Sequence, residues 1–226
     1  MLTELQQEVA RLLAALPEAT GFALAGGGAL IVRGDVDRGT KDLDFFAPPP
    51  SQVERLLPAF EEAVTAAGMT LEVQQAASGF ARLVVRRGDD TVSVDLGTDG
   101  RIRPVEPSAL GPVLAGEELA ADKLLALFGR AEARDFVDVL ALEARYGLDR
   151  MCQLALEKDR GFRRDVLAVM LDRFDRLAPE DYAVDQETYL RLQDAVQRWS
   201  VELTTPGGQQ QWPPRRGPEH DTGAGL

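Results

Sequence analysis

The chain is poor in the side chains that most enzymes use for nucleophilic or zinc chemistry. It has one cysteine, Cys152, and one histidine, His220. A single cysteine excludes an intrachain disulfide, and a reducing cytoplasm is the simplest setting for it. His220 stands in TTPGGQQQWPPRRGPEHDTGAGL, a stretch too rich in Pro, Gly and Gln to bury a core, so composition predicts a disordered tail over residues 204–226. A Ser-His-Asp or Cys-His arrangement then has no folded histidine to use, and a Cys/His zinc site has no ligands. Any metal in the folded part must be held by oxygen, which suits Mg2+ or Mn2+. Basic charge is scarce as well: 25 Lys and Arg stand against 37 Asp and Glu, a net charge of −12. The surface as a whole is therefore not expected to grip nucleic acid phosphates without specificity. No apolar run approaches the roughly 20 residues that span a bilayer, so no membrane partner is expected. The opening MLTELQQEVARLLAAL is acidic at its start and amphipathic, which reads as a surface helix and not a secretory leader.

What is present divides into two patterns. Leu5, Val9, Leu12, Leu13 and Leu16 recur at helical spacing, and Pro17 marks a stop. GFALA reads as a buried strand running into glycines, and GALIVRG as a short helix after it. DLDFFA is a second strand, closed by Pro48, Pro49 and Pro50. Ser51 is placed to cap a helix over 52–67 that ends at Gly68. MTLEVQQAA, FARLVVRR and TVSVDLG read as three strands, the last two joined by a GDD hairpin turn. This order implies an α+β fold, a mixed sheet with helices on one side. From Glu117 onward five amphipathic helical segments follow, which imply a helical bundle. The expected division is an α/β domain over 1–112, a helical domain over 113–203 and the tail.

The chemistry concentrates in LAGGGALIVRGDVDRGTKDLDFF. Side chains alternate along a strand, so Asp42 and Asp44 point to one face while Leu43 and Phe45 point to the other. Two adjacent carboxylates repel and raise each other's pKa, a strain that a divalent cation between them relieves. Gly26, Gly27 and Gly28 stand at a strand-to-helix turn, where bare backbone and free N–H groups suit a phosphate. The spacing fits neither G-x-G-x-x-G nor a P-loop, since no G-K-[ST] follows. Asp95 alternates with Val92 and Val94 on a strand expected to be central, where a carboxylate is costly unless paired or metal-bound. Three carboxylates beside a phosphate-binding turn describe a metal-assisted nucleotidyl-transfer site.

These residues resemble the first motif of the nucleotidyltransferases related to the AbiEii/AbiGii toxins, within the DNA polymerase β-like superfamily. The pattern there is a G-G-[small]-A-L turn and then R-x-T-x-D-[IL]-D; this chain has Gly26, Gly27, Ala29 and Leu30, then Arg38, Thr40, Asp42 and Asp44. The small position, often Ser or Thr in the family, is Gly28 here. A helix with a lysine, then an arginine, then R/K-D-x-x-D is also similar to the family, and ADKLLALFGRAEARDFVDVLAL supplies Lys123, Arg130, Arg134, Asp135 and Asp138. The resemblance covers about residues 20–146.

The resemblance implies a polymerase β-like sheet with flanking helices and a metal-dependent transfer of NMP from an NTP. Phosphates would lie at Gly26 to Gly28, with Arg38, Thr40, Lys123 and Arg130 in the nucleotide site. Asp42 and Asp44 would hold Mg2+ or Mn2+. Asp95 would complete the metal site or act as general base, and Asp135 or Asp138 would orient Lys123 or act near the acceptor. The acceptor hydroxyl stays open between a tRNA 3′ end, an antibiotic and a protein, as does a role as toxin with an antitoxin partner. An NTP-binding module with little transfer is the alternative. Arg82, Arg86, Arg87, Arg101 and Arg103 read either as a local RNA-binding face or as the guard of a sheet edge.

Overall fold

The computed structural model describes residues 1–50 and 53–205; the expectations for Ser51, His220 and the tail from residue 206 onward fall outside them. Helix α1 (Glu4–Ala14) opens with a capping box in which the Thr3 hydroxyl accepts from the Gln6 N–H and the Gln6 side chain answers on the Thr3 N–H. Then come β1 (Ala23–Ala25), α2 (Gly26–Arg33), β2 (Asp42–Ala47), α3 (Val53–Ala66), β3 (Thr70–Ala77), β4 (Phe80–Arg87) and β5 (Asp90–Thr98). Two short strands, β6 (Glu106–Ser108) and β7 (Gly111–Val113), lead into α4 (Gly116–Gly129), α5 (Ala133–Tyr146), α6 (Leu148–Lys158), α7 (Arg164–Leu171) and α8 (Gln186–Thr204).

The seven strands form one mixed sheet in the order β3-β4-β5-β2-β1-β7-β6. β2 lies between an antiparallel β1 and a parallel β5. Alternation along the strands gives the sheet two unlike faces. Leu43 and Phe45 on β2, Val92, Val94 and Leu96 on β5, and Ala81, Leu83 and Val85 on β4 are buried in the core, which α1 supplies with Val9 and Leu13 and α3 with Leu56, Phe60 and Val64. The opposite face carries Asp42, Asp44, Asp95 and Arg82. The buried cluster continues without a break from Leu2 to Leu203, so sheet and helices share one core.

The structure departs from the sequence reading at two points. Gly26 and Gly27 do not precede the helix; with Gly28 they form its first turn, with Ala25 in extended conformation as N-cap. The stretch 106–113, where the expected α/β domain ends and no strand was expected, contributes β6 and β7, and β7 extends the sheet by pairing with β1 at Leu24 and Val113. Neither strand exceeds three residues, too short for alternation to register.

Candidate nucleotidyl-transfer site

The register of three strands assembles the carboxylates. Asp44 lies opposite Asp95 in the parallel β2–β5 pair and opposite Ala25 in the antiparallel β1–β2 pair. Ala25 ends β1 and α2 starts at the next residue, so the glycine turn is set directly against Asp44. Gly26 has φ +56°, and a Cβ built on it would fall 1.8 Å from Asp44 Oδ2. Only glycine therefore permits this approach. A Cβ on Gly27 would lie 3.2 Å from both an Arg38 guanidinium nitrogen and Thr40 Oγ1. Gly28 faces the other way, toward Leu24 and Leu43 at 3.3 Å, so a hydroxyl at that position would point into the core and not toward the carboxylates.

The 38–42 segment is held at both ends. The Thr40 hydroxyl donates to Asp42 Oδ1, and Gln6 Nε2 donates to the Thr40 carbonyl at 2.8 Å. Arg38 makes a two-point contact with Asp138, Nε to Oδ1 at 2.9 Å and the second nitrogen to Oδ2 at 2.8 Å. Lys123 Nζ stands 2.9 Å from Asp138 Oδ2. Asp138 is fully buried, Lys123 nearly so. One carboxylate from α5 thus fixes a cation from α4 and another from the loop before β2. Arg134 approaches Asp42 at 3.6 Å and also pairs with Glu132, and no pairing with Asp138, four residues on, forms.

Asp44 is the electrostatic centre. Its pKa is raised from the ordinary 3.8 to about 6, first by burial and then by the charges of Asp42 and Asp95, against the opposing pull of Lys123 and Arg134. Burial together with the two neighbouring carboxylates outweighs the nearby cations, and that is the condition a metal ion would relieve.

Not every predicted residue joins this centre. Asp95 is adjacent by register, yet both its oxygens are taken by Arg82, at 2.8 and 2.6 Å. Among the described residues no three metal-ligating side chains converge. Two carboxylates on β2 fit Mg2+, which is usually bound by one or two carboxylates together with waters and substrate phosphates. Asp135 stands apart from Asp138: it accepts from the Glu132 N–H, closing the capping box of α5, and holds Arg130 at two points of 2.9 Å. Arg130 is half-exposed, and the charge of Asp44 reaches it.

The five arginines do not make one basic face. Arg86 pairs with Glu72 and Arg87 with Glu8, Arg101 donates to the carbonyls of Gly21 and Phe46, and Arg103 binds Glu117 and Glu157. Gln6 is a site neighbour that sequence reasoning left out, and Arg82, read only as one of the strand arginines, stands beside Asp95. The hairpin between β4 and β5 carried the signal for Arg82: pairing Arg87 with Asp90 across its turn brings Arg82 opposite Asp95.

A family model described as the nucleotidyl transferase AbiEii toxin of type IV toxin–antitoxin systems matches residues 9–213. No curated protein matches the chain. Among solved structures, JHP933 from Helicobacter pylori is 22% identical, with a TM-score of 0.55 over 90% of this chain and 95% of that one. A Helicobacter pylori chain described as a candidate nucleotidyltransferase is 21% identical, with a TM-score of 0.53 over 89% of this chain and 97% of that one. MenT4, a nucleotidyltransferase toxin from Mycobacterium tuberculosis, is 21% identical, with a TM-score of 0.49 over 87% and 85%. The two Helicobacter pylori structures carry the fold and no more. Among the described residues no helix is long and apolar enough to cross a membrane.

Proposed function

The chain belongs to the AbiEii nucleotidyl transferase toxin family, and from that premise we propose that it moves a nucleoside monophosphate from an NTP to an acceptor hydroxyl at the Asp42–Asp44 site. The observation that carries this reading is the contact of Asp44 with the first turn of α2, where Gly26 admits nothing larger than hydrogen beside the carboxylate. Phosphates would lie on the free N–H groups of Gly26 and Gly27, with Lys123, Arg38 and Thr40 at hand and Arg130 and Arg134 at the rim. Asp42 and Asp44 would hold Mg2+ or Mn2+. A divalent ion there would neutralise phosphate charge and the charge developing on the leaving pyrophosphate.

In the transfer the acceptor oxygen bonds to the α-phosphorus, the bond from that phosphorus to the bridging oxygen breaks, and pyrophosphate leaves. The hydroxyl proton passes to Asp95 once Arg82 has withdrawn, or to water. Asp138 acts as a positioning residue through Lys123 and Arg38, and Asp135 through Arg130. Most of the rate would come from alignment and charge compensation. The family supports a toxin role with a cognate antitoxin as partner, and we take a tRNA 3′ end as the acceptor in a cytoplasmic setting. The Arg82–Asp95 pair favours one second reading, a chain that binds NTP and transfers poorly until Arg82 is drawn away.

The test is incubation with each α-labelled NTP, Mg2+ and total tRNA. Label should appear on RNA with release of pyrophosphate, and Asp44→Asn should abolish both. NTP binding without pyrophosphate release would select the second reading, and no NTP binding would refute both.

A further inference from the structure

The face that carries the carboxylates continues along the strands. Asp44, Asp95 and Arg82 form one row across β2, β5 and β4, and the next row on the same face is Phe46, Gly97 and Phe80. Two residues along a strand is about 6–7 Å, so the second row adjoins the first. Gly97 brings no side chain, and the Phe46 ring lies across it: a Cβ there would be 2.8 Å from Phe46 Cε1 and 3.7 Å from Phe80 Cδ2. The two part-buried rings and the bare glycine line a cleft of about 720 Å3, to which Glu54 and Asp99 also contribute. Those two carboxylates are already engaged, Glu54 by the Gly79 N–H at 2.9 Å and Asp99 by Lys158 at 2.7 Å. Besides Ser78, Gly79 and Thr98 at its wall, the cleft presents the two aromatic rings to a ligand, with the Arg82 guanidinium 5.8 Å from the centre of the Phe80 ring.

The position of the cleft determines what fits it. The α2 turn and the Arg38–Lys123–Asp138 group lie on the β1 side of Asp44, and the cleft lies on the β5–β4 side. With triphosphate at the glycines, the space over β5 and β4 belongs to the group that attacks. Resting on the nucleotidyl-transfer reading, we infer that Phe46, Gly97 and Phe80 form a stacking platform for the terminal base of a single-stranded RNA acceptor. A base on this floor sets its ribose hydroxyls toward the Asp95 row. Arg82, which engages both oxygens of Asp95, is placed to meet the adjoining phosphate. Aromatic floors take any base through its π-face, so the platform fixes the end of the strand and leaves its sequence to other contacts.

The test uses the full chain with Mg2+ and a single-stranded RNA decamer whose 3′-terminal base is 2-aminopurine, with ATP affinity measured separately by equilibrium dialysis. The parent should bind the decamer and quench its fluorescence. Phe80→Ala should weaken that binding about 5- to 150-fold, the range for loss of one base–aromatic stack, and abolish the quench. Phe80→Leu should lose the quench as well and Phe80→Tyr should keep it, a contrast that holds if the alanine variant folds poorly. ATP affinity should stay at the parental value in all three. Parental quenching in Phe80→Leu, or a parent that does not bind the decamer, would overturn the inference. So would a loss of ATP affinity with RNA binding kept, because the platform would then serve the base of the NTP. Lys123→Ala separates the two levels: unchanged ATP affinity there would refute the placement of the nucleotide and leave the RNA result standing on its own.

Discussion

Asp44→Asn should make the metal-free protein more stable at neutral pH while abolishing its chemistry. Asparagine keeps the shape of the side chain and removes a charge that burial and its neighbours disfavour. Raising the carboxyl from 3.8 to about 6 on folding corresponds to about 3 kcal/mol of destabilisation when the group is ionised. Between those two values the folded state holds the proton that the unfolded state has already released. Parental stability therefore falls as pH rises through this window and levels off above it, whereas the variant lacks this component. The stability gap should be largest at pH 7.5, shrink to about half by pH 5, and approach zero below the unfolded value. For a chain of this size each kcal/mol is about 2–4 °C, which gives an upper bound of about 6–12 °C in melting temperature.

The assay is thermal unfolding across pH 5–8 in chelator, repeated with Mg2+ and ATP. A ligand at a hundredfold excess over its Kd stabilises the native state by about 2.7 kcal/mol. The parent should gain on that order, and Asp44→Asn much less. A variant less stable than the parent at pH 7.5 without metal would make Asp44 a structural hydrogen-bond acceptor. A stability gap independent of pH would remove ionisation as the cause, and retained transfer would move the active site elsewhere.

Gly26→Ala should eliminate transfer and cost about 1–3 kcal/mol or more, because the new methyl meets Asp44 Oδ2 at 1.8 Å on a backbone with positive φ; denaturant unfolding and label transfer check it. Asp138→Ala should cost about 3–5 kcal/mol in urea unfolding, as it strands Lys123 and Arg38 beside a buried vacancy, and it should also weaken ATP binding. A surface-like effect below about 0.5 kcal/mol would deny Asp138 its positioning role. Arg82→Gln frees both oxygens of Asp95 to take the hydroxyl proton, so the transfer rate at saturating acceptor should rise; an unchanged rate would show that Arg82 does not hold Asp95 back.

The local rules made much of this arrangement legible. Alternation in DLDFFA placed Asp42 and Asp44 together and opposite Leu43 and Phe45, and the glycine run announced a close backbone approach. The partner in that approach was not readable, since the contact of Gly26 with Asp44 depends on the antiparallel register of β1 and β2. The resemblance left Asp135 and Asp138 interchangeable, and helix position separates them. Asp135 sits three residues into the capping box of α5 and turns back to the backbone, while Asp138, one turn later, turns inward to Lys123 and Arg38. The five arginines were close in sequence, but strand alternation and chain reversal sent four of them to different carboxylates and Arg101 to two backbone carbonyls.

The same geometry says why the α/β and helical halves share a core. The carboxylate pair and the glycine turn lie on β2 and α2, whereas Lys123 and Arg134, which oppose the charge of Asp44, come from α4 and α5. Asp138 ties these halves together, because a carboxylate on α5 grips an arginine from the loop before β2. Separating the halves would leave Asp138 without Arg38 and Asp44 without Lys123 and Arg134, the two cations that oppose its charge. The electrostatic condition of the site is thus a property of the docked pair, and either half alone would carry uncompensated charge on the surface where they meet.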